Sequence, residues 1–172
     1  MMITAPQPNE YAAFSAPYVR LASQHDDILA LLNTLKDSTH QFFCSLDADK
    51  AEHRYAESKW TIKQVLGHMI DTERVFAYRA YCFSRGEEKE LPGFEQNDYV
   101  AAVDLSNRTM HSLADEFRSV RESNLYFINA LSDAQIAITG YVNGYTVTVR
   151  ALLYMLAGHE LYHLQLLKER YL

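Results

Sequence analysis

The chain has 172 residues, a length typical of one domain, and 48% of them are hydrophobic, enough for a substantial core. Its formal net charge of −6 argues against a nucleic-acid-binding surface, and no apolar run approaches the roughly 18–20 residues that span a bilayer. The N-terminus lacks a basic region followed by an apolar stretch, and the only cysteines are Cys44 and Cys82, so we expect no signal peptide, no disulfide framework and a cytoplasmic location.

The first 25 residues differ from the rest in their proline content. Pro6, Pro8 and Pro17 interrupt any long helix, so we predict a tail with short helical turns over residues 1–25. Asp26 or Asp27 is a suitable N-cap for a first long helix that runs to about Leu46. We assign residues 26–172 to one helical domain.

A second long helix is predicted from Thr61 to about Ser84. Thr61 is a plausible N-cap, and Gln64 three residues later completes a capping box. Glycine and proline then mark a long loop over residues 85–106, with a short helix near Gln96–Ala102. Loops of this length often cover functional sites.

Two further long helices are predicted in the last third of the chain. Ser106 or Asn107 would cap the third helix, which runs to about Leu131. Asn143-Gly144, between β-prone residues, predicts a small hairpin before the fourth helix. Thr146 or Thr148 would cap that last helix, which we assign to Ala151 to Leu172. The apolar residues of the third helix follow helical spacing: Met110, Leu113, Phe117, Val120, Phe127 and Leu131.

These four amphipathic helices predict an all-α fold, an antiparallel four-helix bundle. The long connection at residues 85–106 allows a crossover between helices 2 and 3 instead of a plain up-and-down order. The segment Ala151–Ala157 is apolar on every side, which exceeds what one bundle seam requires. We expect the N-terminal tail or a second copy of the chain to cover it, and we favour a homodimer.

Histidines in the last helix suggest a metal site. His159 and His163 are four residues apart, so one helix face presents both imidazoles. The pair Gly67-His68 in the second helix repeats the pair Gly158-His159, and a glycine inside a helix suggests close approach of backbone or ligand. Three neutral imidazoles with one open position form a catalytic zinc-type site. The alternative is that these are hydrogen-bonded core histidines.

The segment His159-Glu160-x-x-His163 also matches the motif of zinc peptidases, in which Glu160 would be the general base. Such enzymes take a third ligand from downstream, but Leu166 and Glu169 occupy the positions where the extended motif needs Gly and His. Glu160 is therefore a candidate for catalysis at the rim of the site or for a salt bridge. Gln64 and Asp71 are candidates for orienting His68, or are simple surface residues.

Two separated motifs resemble the DinB-like (DinB/YfiT) superfamily. They are Trp60–Arg74, around Gly67-His68, and Val149–His163, and Leu91-Pro92-Gly93-Phe94 is similar to one bacterial subgroup. The resemblance covers roughly residues 10–172 and implies a four-helix bundle with a three-histidine divalent-metal site. It implies His68, His159 and His163 as the ligands.

The same resemblance suggests the chemistry. Better-understood members include transferases that join low-molecular-weight thiols to electrophiles, and maleylpyruvate isomerases. We therefore hypothesise a metal-dependent thiol transferase or hydrolase that acts on a small molecule, with a low-molecular-weight thiol as a candidate co-substrate. The alternatives are a non-enzymatic metal-binding stress or interaction protein and, less favoured, a metallopeptidase. Imidazole accepts zinc, nickel, iron and manganese, so the sequence does not select the metal.

Overall fold

Seven helices and one hairpin make up the part of the chain that the computed structural model describes, residues 3–172. The elements, in chain order, are α1 (Ala16–Ala22), α2 (Ile28–Cys44), α3 (Ile62–Ser84), α4 (Gln96–Ala102), α5 (Met110–Asn129), α6 (Asp133–Ile136), β1 (Thr139–Val142), β2 (Tyr145–Thr148) and α7 (Val149–Arg170). Short 3-10 turns occupy Pro8–Glu10, Ala13–Ser15 and Ala48–Glu52. The four long helices α2, α3, α5 and α7 form the predicted bundle.

Side-chain caps fix where most of the long helices begin. The Asp27 carboxylate accepts hydrogen bonds from the first amides of α2, Thr61 and Gln64 form the predicted capping box of α3, and Thr148 caps α7. The predicted start of the third long helix was wrong, since Thr109 caps α5. Residues 104–108 instead form a turn, because the Asp104 carboxylate accepts the Ser106 amide hydrogen.

The order of the helices around the bundle departs from a plain antiparallel arrangement. α3 contacts α5 and α7, and α2 contacts the same two helices, so α2 and α3 lie diagonally opposite each other. The contacts Arg74–Glu116 and Tyr81–Phe127 advance together along α3 and α5, so these neighbours run parallel. The directions of the long helices are therefore up, down, down and up.

The parallel pair α3 and α5 requires the predicted crossover. The connection over residues 85–109 carries the chain back along the bundle and includes α4. Its middle is anchored on the hairpin, since Leu91 exchanges backbone hydrogen bonds with Tyr141 and Asn143. The Asn143-Gly144 turn has φ values of 47° and 80°, as a type I′ hairpin requires. Crossover loop and hairpin thus form one layer over the end of α3.

The N-terminal segment covers the outer face of α7. An ideal Cβ at Gly158 would lie 1.9 Å from the Tyr18 carbonyl oxygen, so only glycine admits α1 this close. Glu10 pairs with Arg150, and the Tyr154 hydroxyl donates a hydrogen bond to the Ile3 carbonyl. The N-terminal segment was one of the two candidates expected to cover the apolar helix, and it does so. The homodimer, which was the other, stays a prediction. The division of the chain at residue 25 likewise stays a prediction.

The core lies between the four long helices, with Leu32, Leu66, Phe117 and Leu152 among its fully buried side chains. The inward face of α5 is centred on Phe117, Arg121 and Leu125, so Val120 and Phe127 of the predicted stripe lie at its edge, only partly buried. Within residues 3–172, every helix falls short of the length and apolarity that a bilayer crossing requires.

Candidate metal centre

The structure brings the three predicted histidines together. His68 lies on α3 and His159 and His163 lie on α7, which runs antiparallel beside it. The Nε2 atom of His159 is 2.9 Å from Nε2 of His68 and 3.1 Å from Nε2 of His163. All three side chains are buried, with exposed fractions of 2–6%. Their three donor atoms therefore converge on one point between the two helices.

The convergence fits a divalent metal ion. Bonds of about 2.0–2.1 Å in tetrahedral geometry separate two nitrogen ligands by about 3.3 Å, close to the distances found here. A single hydrogen satisfies only one of these nitrogen pairs, whereas one cation can accept a lone pair from all three rings. The Nδ1 atom of His163 is buried without a hydrogen-bond partner within residues 3–172.

Electrostatics favour the neutral, metal-binding form of the rings. Burial lowers the pKa of His68 to about 4, and burial together with His68 lowers that of His163 to about 3. The pKa of His159 is also lowered, first by burial and then by electrostatic coupling to His163, His68 and Arg121. At neutral pH all three imidazoles therefore keep their lone pairs, and protons do not compete with a metal for the site.

A cavity of about 390 Å³ leads to two of these rings, His68 and His159. This volume lies in the range of small-molecule sites. The walls come from α3, α7, the N-terminal segment, the crossover loop and the hairpin, and they are mainly apolar and aromatic. Among the lining residues are Tyr18, Thr72, Phe76, Phe94, Val147, Leu152 and Met155. The Tyr18 ring packs edge-on against His159, with 5.3 Å between centroids, so α1 helps to hold this ligand.

Glu160 does not line this cavity. Its carboxylate is 1% exposed and forms an ion pair of 2.8 Å with Arg121, on another side of α7 from His159. Arg121 also makes a bidentate pair with Glu73, with both distances 2.8 Å. Burial raises the pKa of Glu160, although Arg121 opposes the rise. The structure thus places Glu160 in a salt bridge, which is one of its two predicted positions, and not at the rim of the cavity.

Glu73, Arg121 and Glu160 form a buried cluster in which one guanidinium pairs with two carboxylates. Arg121 also donates to the Leu32 carbonyl, and the Asn124 amide donates to Glu73. Burial alone would lower the pKa of Arg121. The carboxylates of Glu160 and Glu73 raise this pKa by more than burial lowers it, so the guanidinium stays charged. The cluster links α2, α3, α5 and α7 beside the histidines.

The two residues predicted to orient His68 do not contact it through hydrogen bonds within the described chain. The Gln64 side-chain oxygen accepts the Thr61 amide hydrogen in the capping box. Asp71 is partly buried, and its pKa is raised by burial, with Arg74 opposing this effect. Trp60 instead packs on His68, with 4.8 Å between ring centroids.

Several residues of the site escaped the sequence analysis. Arg79 and Phe94 line the cavity, and Glu73 and Arg121 form the buried cluster. A signal existed for the cluster: Glu73 and Arg121 occupy apolar-stripe positions on two different helices and carry opposite charges. A signal also existed for Arg79, which follows His68, Thr72 and Phe76 at helical spacing on one face of α3.

Comparison with solved structures shows the same fold in three proteins. YfiT from Bacillus subtilis, described as a probable metal-dependent hydrolase with an unusual four-helix bundle topology, matches with a TM-score of 0.67 at 13% identity over 95% of this chain and 89% of its own. A mycothiol-dependent maleylpyruvate isomerase matches with a TM-score of 0.64 at 15% identity, over 79% of this chain and 57% of its own. The DinB-like protein YjoA from Bacillus subtilis matches with a TM-score of 0.59 at 18% sequence identity, over 83% of this chain and 87% of its own.

Comparison with curated protein sequences finds no match. The family model for the DinB superfamily matches residues 31–167, which include all three histidines and all four long helices in whole or in part. The match confirms the resemblance that the two histidine motifs indicated. The chain belongs to the DinB superfamily.

Proposed function

We propose that the chain is a divalent-metal-dependent enzyme that acts on a small molecule, as a thiol transferase or a hydrolase. The observation that carries this proposal is the convergence of three neutral imidazoles, two of which line an open cavity. The descriptions of two structural neighbours support it, since YfiT is called a probable metal-dependent hydrolase and the isomerase is mycothiol-dependent. A protein that only stored metal would have no use for a cavity of substrate size beside the ligands.

The residues present supply the conditions for such chemistry. A bound divalent ion would hold a thiol sulfur as its thiolate, or lower the pKa of a water molecule, at neutral pH. His68, His159 and His163 would hold that ion. Phe76, Met155 and the other apolar walls limit the water near it, which strengthens electrostatic interactions at the reacting atoms.

The position of Glu160 argues against a peptidase. A general base must reach the reacting water at hydrogen-bond distance, whereas Glu160 lies sealed against Arg121. The cavity also does not reach this carboxylate, so no extended peptide could lie beside it. We therefore set the peptidase alternative aside in favour of thiol transfer or hydrolysis. The cytoplasmic location stays part of the proposal, supported by the two free thiols.

Metal analysis of the purified wild type and two variants tests the metal site. We expect about one equivalent of divalent metal in the wild type, a large loss in His159→Gln, and no loss in the control His111→Gln, whose side chain is exposed on α5. Trp60 gives a second signal. It is the only tryptophan and packs on His68, so a paramagnetic ion such as Ni²⁺ or Cu²⁺ should quench its fluorescence.

Activity is tested on the same metal-loaded samples. The substrates are a chromogenic electrophile paired with cysteine or mycothiol, and a chromogenic ester. Turnover by the wild type that His159→Gln lacks and His111→Gln retains would support the proposal. A fully loaded protein that is inert in thiol transfer and in hydrolysis would favour the non-enzymatic alternative.

A further inference from the structure

The cavity wall carries an uncompensated positive charge. Within residues 3–172, the residues that line the cavity include Arg79 but no aspartate or glutamate. This is notable in a chain with 22 acidic and 16 basic residues. The neutral histidines add no negative charge, and a divalent cation would add two positive charges. The cavity is thus suited to an anion by its charge as well as by its volume.

Arg79 is buried without an acidic partner. Its side chain lies at the wall of the cavity, the residue is only 7% exposed, and no carboxylate of residues 3–172 lies within ion-pair distance. One guanidinium nitrogen donates to the Pro92 carbonyl at 2.8 Å. A guanidinium has five N–H donors, and within residues 3–172 the Pro92 carbonyl is the acceptor for one of them. The other donors are not sealed from solvent, so an anion in the cavity could reach them.

Two aromatic rings hold the guanidinium in place. It lies 5.9 Å from the centroid of Phe76 and 5.8 Å from that of Phe94, both of which also line the cavity. These rings and the Pro92 carbonyl restrict the side chain before any ligand binds. A preorganised guanidinium binds an oxyanion at a smaller entropic cost than a mobile lysine does.

Arg79 also has a defined position relative to the histidines. His68, Thr72, Phe76 and Arg79 follow one another on one face of α3, and the first and the last are eleven positions apart. Eleven residues correspond to about 16 Å along a helix axis. Helical side chains lean toward the N-terminus, so the arginine side chain extends toward His68 and shortens this gap.

We propose that Arg79 binds the anionic head group of the substrate, a carboxylate or a phosphate, while the apolar body of the substrate packs on Phe76 and Phe94 and its other end lies at His68 and His159. The position of the reacting end rests on the proposed function. Binding of the anion by Arg79 does not, because it needs no metal.

The test therefore uses metal-free protein and three probes: 3-phenylpropanoate, phenyl phosphate and the neutral 3-phenylpropanamide. Binding is measured by calorimetry and by chemical-shift changes in NMR spectra. We expect at least one anion to bind wild type about tenfold or more tightly than the amide, because the charged head group gains a bidentate pair. The anion that gives the larger preference distinguishes carboxylate from phosphate recognition.

Three variants assign that preference to its residue. Arg79→Met keeps the length and loses the charge, so the preference should disappear. Arg79→Lys keeps the charge without the fork, so the preference should fall severalfold but persist. The control Arg85→Met removes an exposed arginine that packs on Tyr81 outside the cavity and should change nothing. If Arg79→Met does not fold, the comparison of Arg79→Lys with the wild type still tests whether the preference for anions depends on Arg79.

Equal binding of anions and amide by the wild type would overturn the inference, as would a preference that survives in Arg79→Met, or no binding of any probe in the millimolar range. Metal content separates this failure from failure of the proposed function. Arg79→Met should retain the metal, since it leaves the histidines untouched. A wild type that takes up no metal when metal is supplied, but selects anions through Arg79, would support the anion site and refute only the metal chemistry.

Discussion

His159 and Glu160 are neighbours in sequence, yet they belong to two different polar regions of the molecule. His159 faces an open cavity, and its Nε2 atom lies 2.9 Å and 3.1 Å from the Nε2 atoms of His68 and His163. Glu160 faces a sealed cluster in which Arg121 compensates its charge. Both side chains are buried and polar, so burial and polarity do not distinguish a functional residue from a structural one. Access to a cavity does.

The largest effect is expected at the sealed cluster. Arg121→Met would leave the carboxylates of Glu73 and Glu160 buried without a cation, and we expect a loss of about 3–5 kcal/mol in the free energy of unfolding. Urea denaturation measures this. The control Arg118→Met breaks a half-exposed pair with Asp37 and should cost about 0–1 kcal/mol. Equal losses in the two variants would show that the cluster has no special role.

The histidine region should make stability depend on pH. The folded state keeps the pKa of His68 near 4, whereas the unfolded chain protonates this ring near the ordinary 6.5. The unfolded state therefore binds more protons between these values, and the stability of the metal-free protein should fall as pH is lowered from 6.5 to 4. One such shift corresponds to about 3 kcal/mol.

Thermal unfolding of wild type and His68→Gln across this range isolates the contribution. The variant should lose less stability toward pH 4, since glutamine does not titrate. The buried carboxylates titrate in both proteins and largely cancel in the difference. Parallel pH profiles for the two proteins would mean that His68 is not held neutral by its surroundings.

The two Gly-His pairs should respond differently to alanine. Gly158→Ala places a methyl group against the Tyr18 carbonyl, which is backbone and cannot move alone, so we expect a loss of about 2 kcal/mol through displacement of α1. Gly67→Ala meets only the Leu105 side chain at 3.2 Å, and the helix gains about 1 kcal/mol of propensity, so its net change should be near zero or favourable. Chemical denaturation of both variants makes the comparison.

The smallest effect is expected for Glu160→Gln. Because this residue pairs with Arg121 and not with substrate, metal content should be unchanged and turnover should fall by no more than about threefold. A general base would contribute about 10²–10⁴-fold, so a loss of that size would return Glu160 to the catalytic machinery. Turnover per bound metal, in whichever reaction the wild type catalyses, decides between these outcomes.

The sequence predicted what depends on local spacing. The i, i+4 pair of His159 and His163, the Thr61–Gln64 capping box and the Asn143-Gly144 turn each follow from a few adjacent residues. The third histidine of the cluster, His68, was predicted because its glycine repeats the pattern of the last helix. The structure supplies a reason for one of these glycines: α1 packs directly on Gly158.

The rest depends on how helices rotate and pair. The sequence analysis placed Val120 on the inner face of α5, but a rotation of one residue brings Arg121 inward and creates the partner for Glu73 and Glu160. The cavity combines five segments that are far apart in the chain, so Arg79 had no local signature beyond its helix face. The direction of α5 relative to α3 likewise follows from tertiary packing and not from any short pattern.

The contact between α1 and α7 has a consequence for biosynthesis. The Tyr154 hydroxyl and the Ile3 carbonyl that accepts its hydrogen bond are separated by 151 residues. On the ribosome, α1 is synthesised before the four long helices. It can pack on α7 only after nearly all of the remaining domain has been synthesised. The wall of the cavity and the support for His159 therefore form late, and a nascent chain that has already built α2 and α3 has yet to acquire a working pocket.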